Sequence, residues 1–184
     1  MIILYGFVSE ILGYTPDKNK KSAESDAGRR LLDLLLVESG VDATSDNIKI
    51  GINGKPYFEG MPGLDFNITH SKGFVACILS MGEGRVGIDT ELTEIAYPPE
   101  KQKMLAARFL GDDEQKSLAD GDMTFSKLWT RREAYLKMTG DGFAKGICEK
   151  IPSNVRFSSF EVEGYTVTVC TENDVPIILR KYKI

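Results

Sequence analysis

Histidine is nearly missing from this chain: His70 is the only one in 184 residues. Cysteine is scarce as well, with Cys77, Cys148 and Cys170 scattered singly and odd in number. These shortages exclude a disulfide-stapled scaffold and the Cys/His spacings that hold zinc, and they fit a reducing compartment. No apolar run approaches the roughly 20 residues that a membrane span requires. The opening MIILYGFVSE carries no basic leader, and GYTPDKNKK follows where a small-residue cleavage site would stand, so no secretory signal is expected. Positive charge is short too. The 23 Lys and Arg against 27 Asp and Glu give a net charge of −4, which argues against a general nucleic-acid binder. Low-complexity tracts and long linkers are absent. The expectation is a soluble cytoplasmic protein whose 42% hydrophobic content and length suffice for a proper core.

What is present is alternation of strand and helix rhythms. MIILYGFV is rich in Ile, Leu and Val and reads as a strand. SAESDAGRRLLDLLLVESG reads as a helix, capped by Ser22, with leucines at helical spacing and Gly40 at its end. Short strands follow in NIKIGINGKPYF, DFNITHS and FVACILSMGEG, the first turning back at Asn53-Gly54, a hairpin signal. RVGIDTEL is the next strand. PPEKQKMLAARFLG, with prolines at its start and Gly111 past its end, is a helix, and DDEQKSLA is a shorter one. DMTFSKLWTRREAYLKMTGDG is the strongest helical segment, capped near Asp122 or Thr124 and stopped by Gly140. FSSFEVEGYTVTVCTEN and VPIILRKYKI close the chain as two or three antiparallel strands. MIILYGFV and RVGIDTEL open similar strand, turn, helix, strand orders, a weak repeat that sets Tyr5 against Asp89 and Phe7 against Glu91.

Four short stretches carry chemistry. In RVGIDTELTE, Asp89 and Glu91 stand two apart, so a strand would aim both carboxylates to one side, roughly 7 Å apart along the backbone. Like charges so placed repel unless something positive lies between them, and a divalent cation is the usual answer; a solvated strand end is the plain alternative. In WTRREAYLK, Trp129, Glu133 and Lys137 fall four apart on one helical face, although Glu133 to Lys137 is also the favoured orientation of an ordinary intrahelical pair. FNITHS holds His70 between Thr69 and Ser71 at a strand end, where a lone histidine is more often structural than catalytic. GKP presents Lys55 on a turn, where most lysines are simply solvated. Together, Asp89, Glu91 and Glu133 offer three hard oxygen ligands that suit Mg²⁺ and not zinc. Lys55, His70, Arg132 and Lys137 offer cationic or donor groups for phosphate oxygens. These are the parts for handling a polyphosphate, where a metal offsets charge on a pyrophosphate and its leaving group.

The order of the pieces resembles the 4′-phosphopantetheinyl transferases of the Sfp type. Gly54-Lys55-Pro56, Phe66 through Ser71, Gly87-Ile88-Asp89-Thr90-Glu91 and Trp129 through Lys137 follow the family's motif order, and ARFLGDDE resembles its aromatic segment between the last two. The resemblance covers most of residues 25 to 140. Arg132 stands where the family has lysine before the helix glutamate, and Thr69 stands where it has serine; a guanidinium still binds phosphate, and the hydroxyl is kept.

The resemblance implies an α+β fold of two pseudo-symmetric halves, 1–84 and 85–184, each a small antiparallel sheet packed with helices, joined as one compact unit. It implies transfer of the 4′-phosphopantetheine moiety of coenzyme A to a serine of an apo acyl, polyketide or peptidyl carrier protein, releasing adenosine 3′,5′-bisphosphate. By the same resemblance, Asp89, Glu91 and Glu133 hold Mg²⁺ or Mn²⁺, with Glu91 bound directly or through water. Glu133 or a metal-bound water takes the serine proton, and Lys137 stabilises the pyrophosphate bridge. Lys55, Thr69, His70, Arg132 and Lys137 would bind coenzyme A, with Arg29 or Arg30 beside the nucleotide. Lys101, Lys103, Arg108 and Lys116 form either a contact face for an acidic carrier or a solvated helix face. The protein is expected to be a monomer without nucleic-acid or membrane partners. Two other readings stay open: a catalytically silent coenzyme A-binding protein, and a two-metal 3′–5′ exonuclease, whose D-x-E opening Asp89-Thr90-Glu91 also resembles.

Overall fold

Alternating side chains on paired strands set the layers of this molecule. The computed structural model describes residues 1–16, 20–94, 97–142 and 150–183; Cys148 lies outside them. β1 (Ile2–Phe7) pairs antiparallel with β5 (Phe74–Met81), and β5 pairs antiparallel with β4 (Leu64–Ser71). A second sheet is antiparallel throughout, in the order β6-β8-β7, from β6 (Val86–Leu92), β7 (Arg156–Val162) and β8 (Tyr165–Thr171). A two-stranded hairpin, β2 (Ile48–Ile50) with β3 (Pro56–Phe58), turns at Asn53-Gly54 as expected, with Gly54 at φ +86°.

The closing strand corrects the expected arrangement. β9 (Ile178–Lys181) does not extend the second sheet antiparallel to its neighbours; it lies parallel to β1, giving the first sheet the order β4-β5-β1-β9. Tyr182 N–H donates to Tyr5 O at 2.6 Å and Ile178 N–H to Met1 O at 3.0 Å, so the chain's last segment covers the backbone edge that β1 would otherwise leave open. The boundary at 84/85 therefore separates the chain by sequence but not by sheet.

Among the described residues, five α-helices flank the sheets: α1 (Val8–Leu12), α2 (Lys20–Glu38), α3 (Pro99–Phe109), α4 (Asp112–Asp120) and α5 (Phe125–Thr139). α1 is a single short turn that the strand reading of MIILYGFV did not anticipate, and α2 begins two residues before Ser22. α5 has the boundaries its sequence suggests. The Thr124 hydroxyl accepts from Lys127 N–H at 3.3 Å, and Gly140 ends the helix in the left-handed region.

Apolar interfaces join α2, the two sheets and α5 into helix, sheet, sheet and helix layers. Ala27, Leu31, Leu32 and Leu35 of α2 pack on Leu4, Phe66, Val75 and Cys77 of the first sheet. Its opposite face presents Ile3, Tyr5, Phe74 and Ile78 to Val86, Ile88, Tyr165 and Val167 of the second. On the outer face of the second sheet, Ala134 and Met138 of α5 pack on Cys170. The expected repeat is therefore out of phase by one residue. Tyr5 faces the core between the sheets, whereas on β6 that direction belongs to Val86 and Ile88, and Asp89 turns the other way.

Candidate functional site

β6 lies at the edge of its sheet, and its free side is closed by side chains of β4. Val86 N–H donates to Asp65 Oδ2 at 2.8 Å and Ile88 N–H to Asn67 Oδ1 at 3.0 Å. Further along, Thr69 Oγ1 donates to Asp89 Oδ1 at 3.3 Å and Ser71 Oγ to Glu91 Oε2 at 2.9 Å. Residues 65, 67, 69 and 71 share one face of β4 because strand side chains alternate, while Phe66 and Ile68 turn to α2. One polar row thus ties the two halves together and fixes both acids of β6.

α5 reaches the same acids because Gly87 lets it lie directly on β6. A Cβ at position 87 would come 2.1 Å from Ala134 O and 2.4 Å from Met138 N, so no side chain fits there. That close approach brings Lys137 Nζ to 2.6 Å from Asp89 Oδ1 and 3.3 Å from Thr69 Oγ1. Glu133, one turn earlier, accepts a hydrogen bond from the Trp129 indole. Trp129 is itself held edge-on by Phe109 and stacked on Phe125, with ring centroids 5.4 and 5.8 Å away. The expected four-residue spacing of Trp129, Glu133 and Lys137 therefore serves one face.

The electrostatics of this cluster are those of too much negative charge in too little water. Burial, followed by repulsion from Asp89 and Glu91, pushes the Glu133 carboxyl up to about 7, against the opposing pull of Lys137. Burial also raises Glu91, against the Ser71 hydrogen bond, and raises Asp89, against its contact with Lys137. Asp89 is only 4% exposed, and its second oxygen, Oδ2, is buried without a hydrogen-bond partner. Among the described residues no group of three or more His, Cys, Asp and Glu is arranged as a finished metal cage. The donor set nevertheless fits a hard divalent cation: carboxylates with raised proton affinity, and one buried oxygen left without a donor.

A cavity of about 220 Å³ opens beside the cluster, lined by Asn53, Lys55 and Asn67 from the first half and by Glu133, Leu136 and Lys137 from the second. Lys55 is already committed there. Its ammonium donates to Asp65 Oδ2 at 2.7 Å, Met138 O at 3.0 Å and Val86 O at 3.3 Å, which uses all three of its donors. It buckles the hairpin to the seam and to the end of α5 while lining that cavity.

Arg132 points elsewhere. On a helix, the residue before Glu133 points about 100° away from it. Arg132 is 2% exposed and paired with Glu114 of α4, on the side of α5 away from Asp89. His70 sits on the α2 face of β4, opposite Thr69 and Ser71, with Nδ1 at 3.1 Å from Glu24 Oε2. Arg29 and Arg30 are exposed on α2, where Arg29 Nη1 donates to Ser45 O at 3.3 Å. On the carrier-contact candidates, Lys101 Nζ lies 3.8 Å from the Tyr97 ring centroid, and Lys116 pairs with Asp120 one turn on.

Sequence reasoning missed Asp65, Asn67 and Ser71 as site-building residues. The signal was available as a period-two row of polar residues, Asp65-x-Asn67-x-Thr69-x-Ser71, in an otherwise apolar strand. Glu24 and Glu114 left no such trace, because their partners come from distant segments.

No helix among the described residues is long and apolar enough to cross a membrane. A family model described as the 4′-phosphopantetheinyl transferase superfamily matches residues 85–180. The chain is 26% identical over 137 residues to the 4′-phosphopantetheinyl transferase psf-1 of Bacillus pumilus, covering 72% of this chain and 53% of that protein. It is 30% identical over 132 residues to the 4′-phosphopantetheinyl transferase AcpT of Salmonella typhi, covering 66% and 65%. To the AcpT of Escherichia coli O157:H7 it is 31% identical over 152 residues, covering 79% and 73%. The chain thus spans 53% and 65% of the first two relatives' lengths.

Proposed function

The chain belongs to the 4′-phosphopantetheinyl transferase superfamily, and from that premise we propose that it transfers 4′-phosphopantetheine from coenzyme A to a carrier-protein serine. Adenosine 3′,5′-bisphosphate is the other product. The order of its four motifs, from Lys55 to Lys137, favours the Sfp type. The observation that carries the reading is the meeting of Asp89, Glu133 and Lys137, from β6 and α5, at a cavity open to both halves.

Asp89, Glu91 and Glu133 would hold Mg²⁺, or Mn²⁺ in its place. When bound, the cation offsets the charge of the diphosphate and of the leaving bisphosphate. The chain's own groups do the rest. Glu133 or a metal-bound water would take the serine proton; the rise that burial gives the free carboxyl would be opposed by the cation once bound. Lys137 places an ammonium where charge develops on the bridging oxygen, and Thr69 and Asp89 hold it in position. Thr69 and Ser71 orient the carboxylates without carrying charge themselves.

His70 would meet the nucleotide end around the tip of β4. Lys55 lines the same cavity while bracing the seam, and Arg132 pairs with Glu114. The carrier remains any acyl, polyketide or peptidyl carrier with a serine at a helix start. Mass spectrometry of an apo carrier incubated with the protein, coenzyme A and Mg²⁺ tests the reading. A carrier heavier by one phosphopantetheine arm is expected. An unchanged carrier with coenzyme A still bound favours a silent binder, and loss of both overturns the assignment.

A further inference from the structure

We propose that Glu24 is a positioning residue that locks the His70 imidazole so that Nε2 is the atom left to meet an anionic ligand. The inference rests on the coenzyme A site proposed above. Glu24 reaches from α2 and uses both carboxylate oxygens. Oε2 lies 3.1 Å from His70 Nδ1, and Oε1 accepts Gly73 N–H at 2.7 Å. Gly73 belongs to the tight turn between β4 and β5, where Lys72 and Gly73 both take positive φ, 48° and 89°. That turn type matches the twist of paired strands and sets their register. One carboxylate therefore clamps the ring and the turn that carries it.

The consequence is chemical as well as mechanical. A carboxylate on Nδ1–H fixes the direction of the ring, and an imidazolium held this way has its second donor, Nε2–H, left to give to an anion. Glu24 is largely buried and His70 about one-third exposed, so the clamp is shielded while the ring edge is not. A cavity of about 480 Å³ lies at the same end of β4, lined by Phe7, Lys20, Glu24, Lys72 and Gly73. Its two lysines supply positive charge. Glu24 keeps its negative charge when it accepts a hydrogen bond, and a protonated His70 beside it would offset that charge for an incoming anion. This end lies around the strand tip from Asp89, so an extended ligand with phosphates at two separate places could span both.

His70 is the only histidine in the chain, so ¹⁵N imidazole NMR of the full-length protein reads it without ambiguity. A hydrogen-bonded Nδ1–H signal is expected in the unaltered protein and should vanish in Glu24→Ala. Coenzyme A affinity, measured by calorimetry without any turnover, should fall about tenfold in that variant, while kcat stays within about twofold and the loss appears in KM. Glu24→Gln keeps one acceptor for Nδ1–H and should fall between the two. Asp33→Ala is the control. Asp33 lies on the same helix and holds Ser45 N–H at 2.5 Å and its hydroxyl at 3.0 Å, so its removal loosens α2 without touching His70. Asp33→Ala should leave the NMR signal and coenzyme A affinity unchanged. The proposal is overturned if Glu24→Ala retains the Nδ1–H signal, if its coenzyme A affinity is unchanged, or if Asp33→Ala weakens coenzyme A as much. A protein that binds coenzyme A but modifies no carrier removes the transferase reading and leaves Glu24 decidable by binding alone. Failure of coenzyme A to bind at all removes both.

Discussion

Strands β1 and β6 open the two halves of the chain, and each carries a pair of residues near its end: Tyr5 and Phe7 on one, Asp89 and Glu91 on the other. β1 is an interior strand, flanked by β5 and β9, so its backbone is fully paired. Its odd residues point between the sheets, where Tyr5 stacks on Phe74 at 5.6 Å and Phe74 on Tyr165 at 4.6 Å. β6 is an edge strand, and its odd residues point outward to α5 and to the polar row of β4. The aromatic pair joins the sheets by burial, which is worth most when complete. The acid pair sits where burial is incomplete and costly, and it persists because hydroxyls and one ammonium offset the charge. One strand joins the sheets through buried aromatics, and the other holds partly buried acids at the candidate site.

The largest effect should follow from breaking the aromatic side of this comparison. Phe74 is fully buried at the centre of the stack. Phe74→Ala should cost about 3–5 kcal/mol of stability, by lost burial and by the cavity left behind. Urea denaturation measures it. A cost below about 1 kcal/mol would mean that the stack does not join the sheets.

Glu133→Gln probes the other side and should separate function from stability. Turnover is expected to drop by about 100-fold or more, equivalent to about 2.7 kcal/mol of transition-state stabilisation, with the fold intact. Stability should move in the opposite direction. The folded carboxyl titrates at about 7, against an ordinary 4.5 in the unfolded chain. The folded state thus keeps a proton that the unfolded chain releases between those values, and stability falls as pH rises from about 4.5 to about 7. Glutamine has no proton to keep. The variant should match the parent near pH 4 and exceed it at pH 8 in thermal melts. Wild-type turnover in excess Mg²⁺ would defeat the catalytic role, and parallel pH curves would defeat the electrostatic one.

Most of the fold was legible because it depends on local rules. The caps of α5, the Asn53-Gly54 hairpin and the alternation along β4 each leave a short-range signature in the sequence. The same was true of Asp89, Glu91, Glu133 and Lys137, whose spacing puts them on single faces of a strand and a helix. What escaped is non-local. Nothing near Lys55 reveals that Asp65 and two carbonyls, one of them 83 residues away, absorb its charge. Nor does anything near Arg132 reveal that α4 places Glu114 beside it. Tyr5 aligns with Asp89 by distance from a strand start, but the two face opposite ways, and that parity depends on which sheet face each helix covers.

Lys137→Met should sharpen the account of charge at β6. The ammonium at 2.6 Å already neutralises part of Asp89, so it competes with any cation for the same carboxylate. Without coenzyme A, the variant should bind Mn²⁺ several-fold more tightly than the parent, even though its transfer rate falls. Titration followed by electron paramagnetic resonance reads free Mn²⁺ directly. Equal or weaker binding would show that Lys137 shapes the carboxylates for the metal and does not occupy its place.

The smallest effect is expected at Thr69, where the comparison between burial and chemistry can be tested within one side chain. Its hydroxyl is used twice, by Asp89 Oδ1 and by Lys137 Nζ, each at 3.3 Å. Its methyl group is buried in a residue only 2% exposed. Thr69→Ser removes the methyl and keeps the hydroxyl, so stability should fall by about 0.5–1 kcal/mol while coenzyme A affinity stays within about twofold. Thr69→Val makes the opposite exchange, keeping the shape and deleting the donor. It should leave Asp89 facing Lys137 alone and lower transfer more than stability. If the serine variant instead loses coenzyme A affinity, the methyl packs against the ligand, and burial contributes to the reactive half of the molecule as it does to the aromatic half.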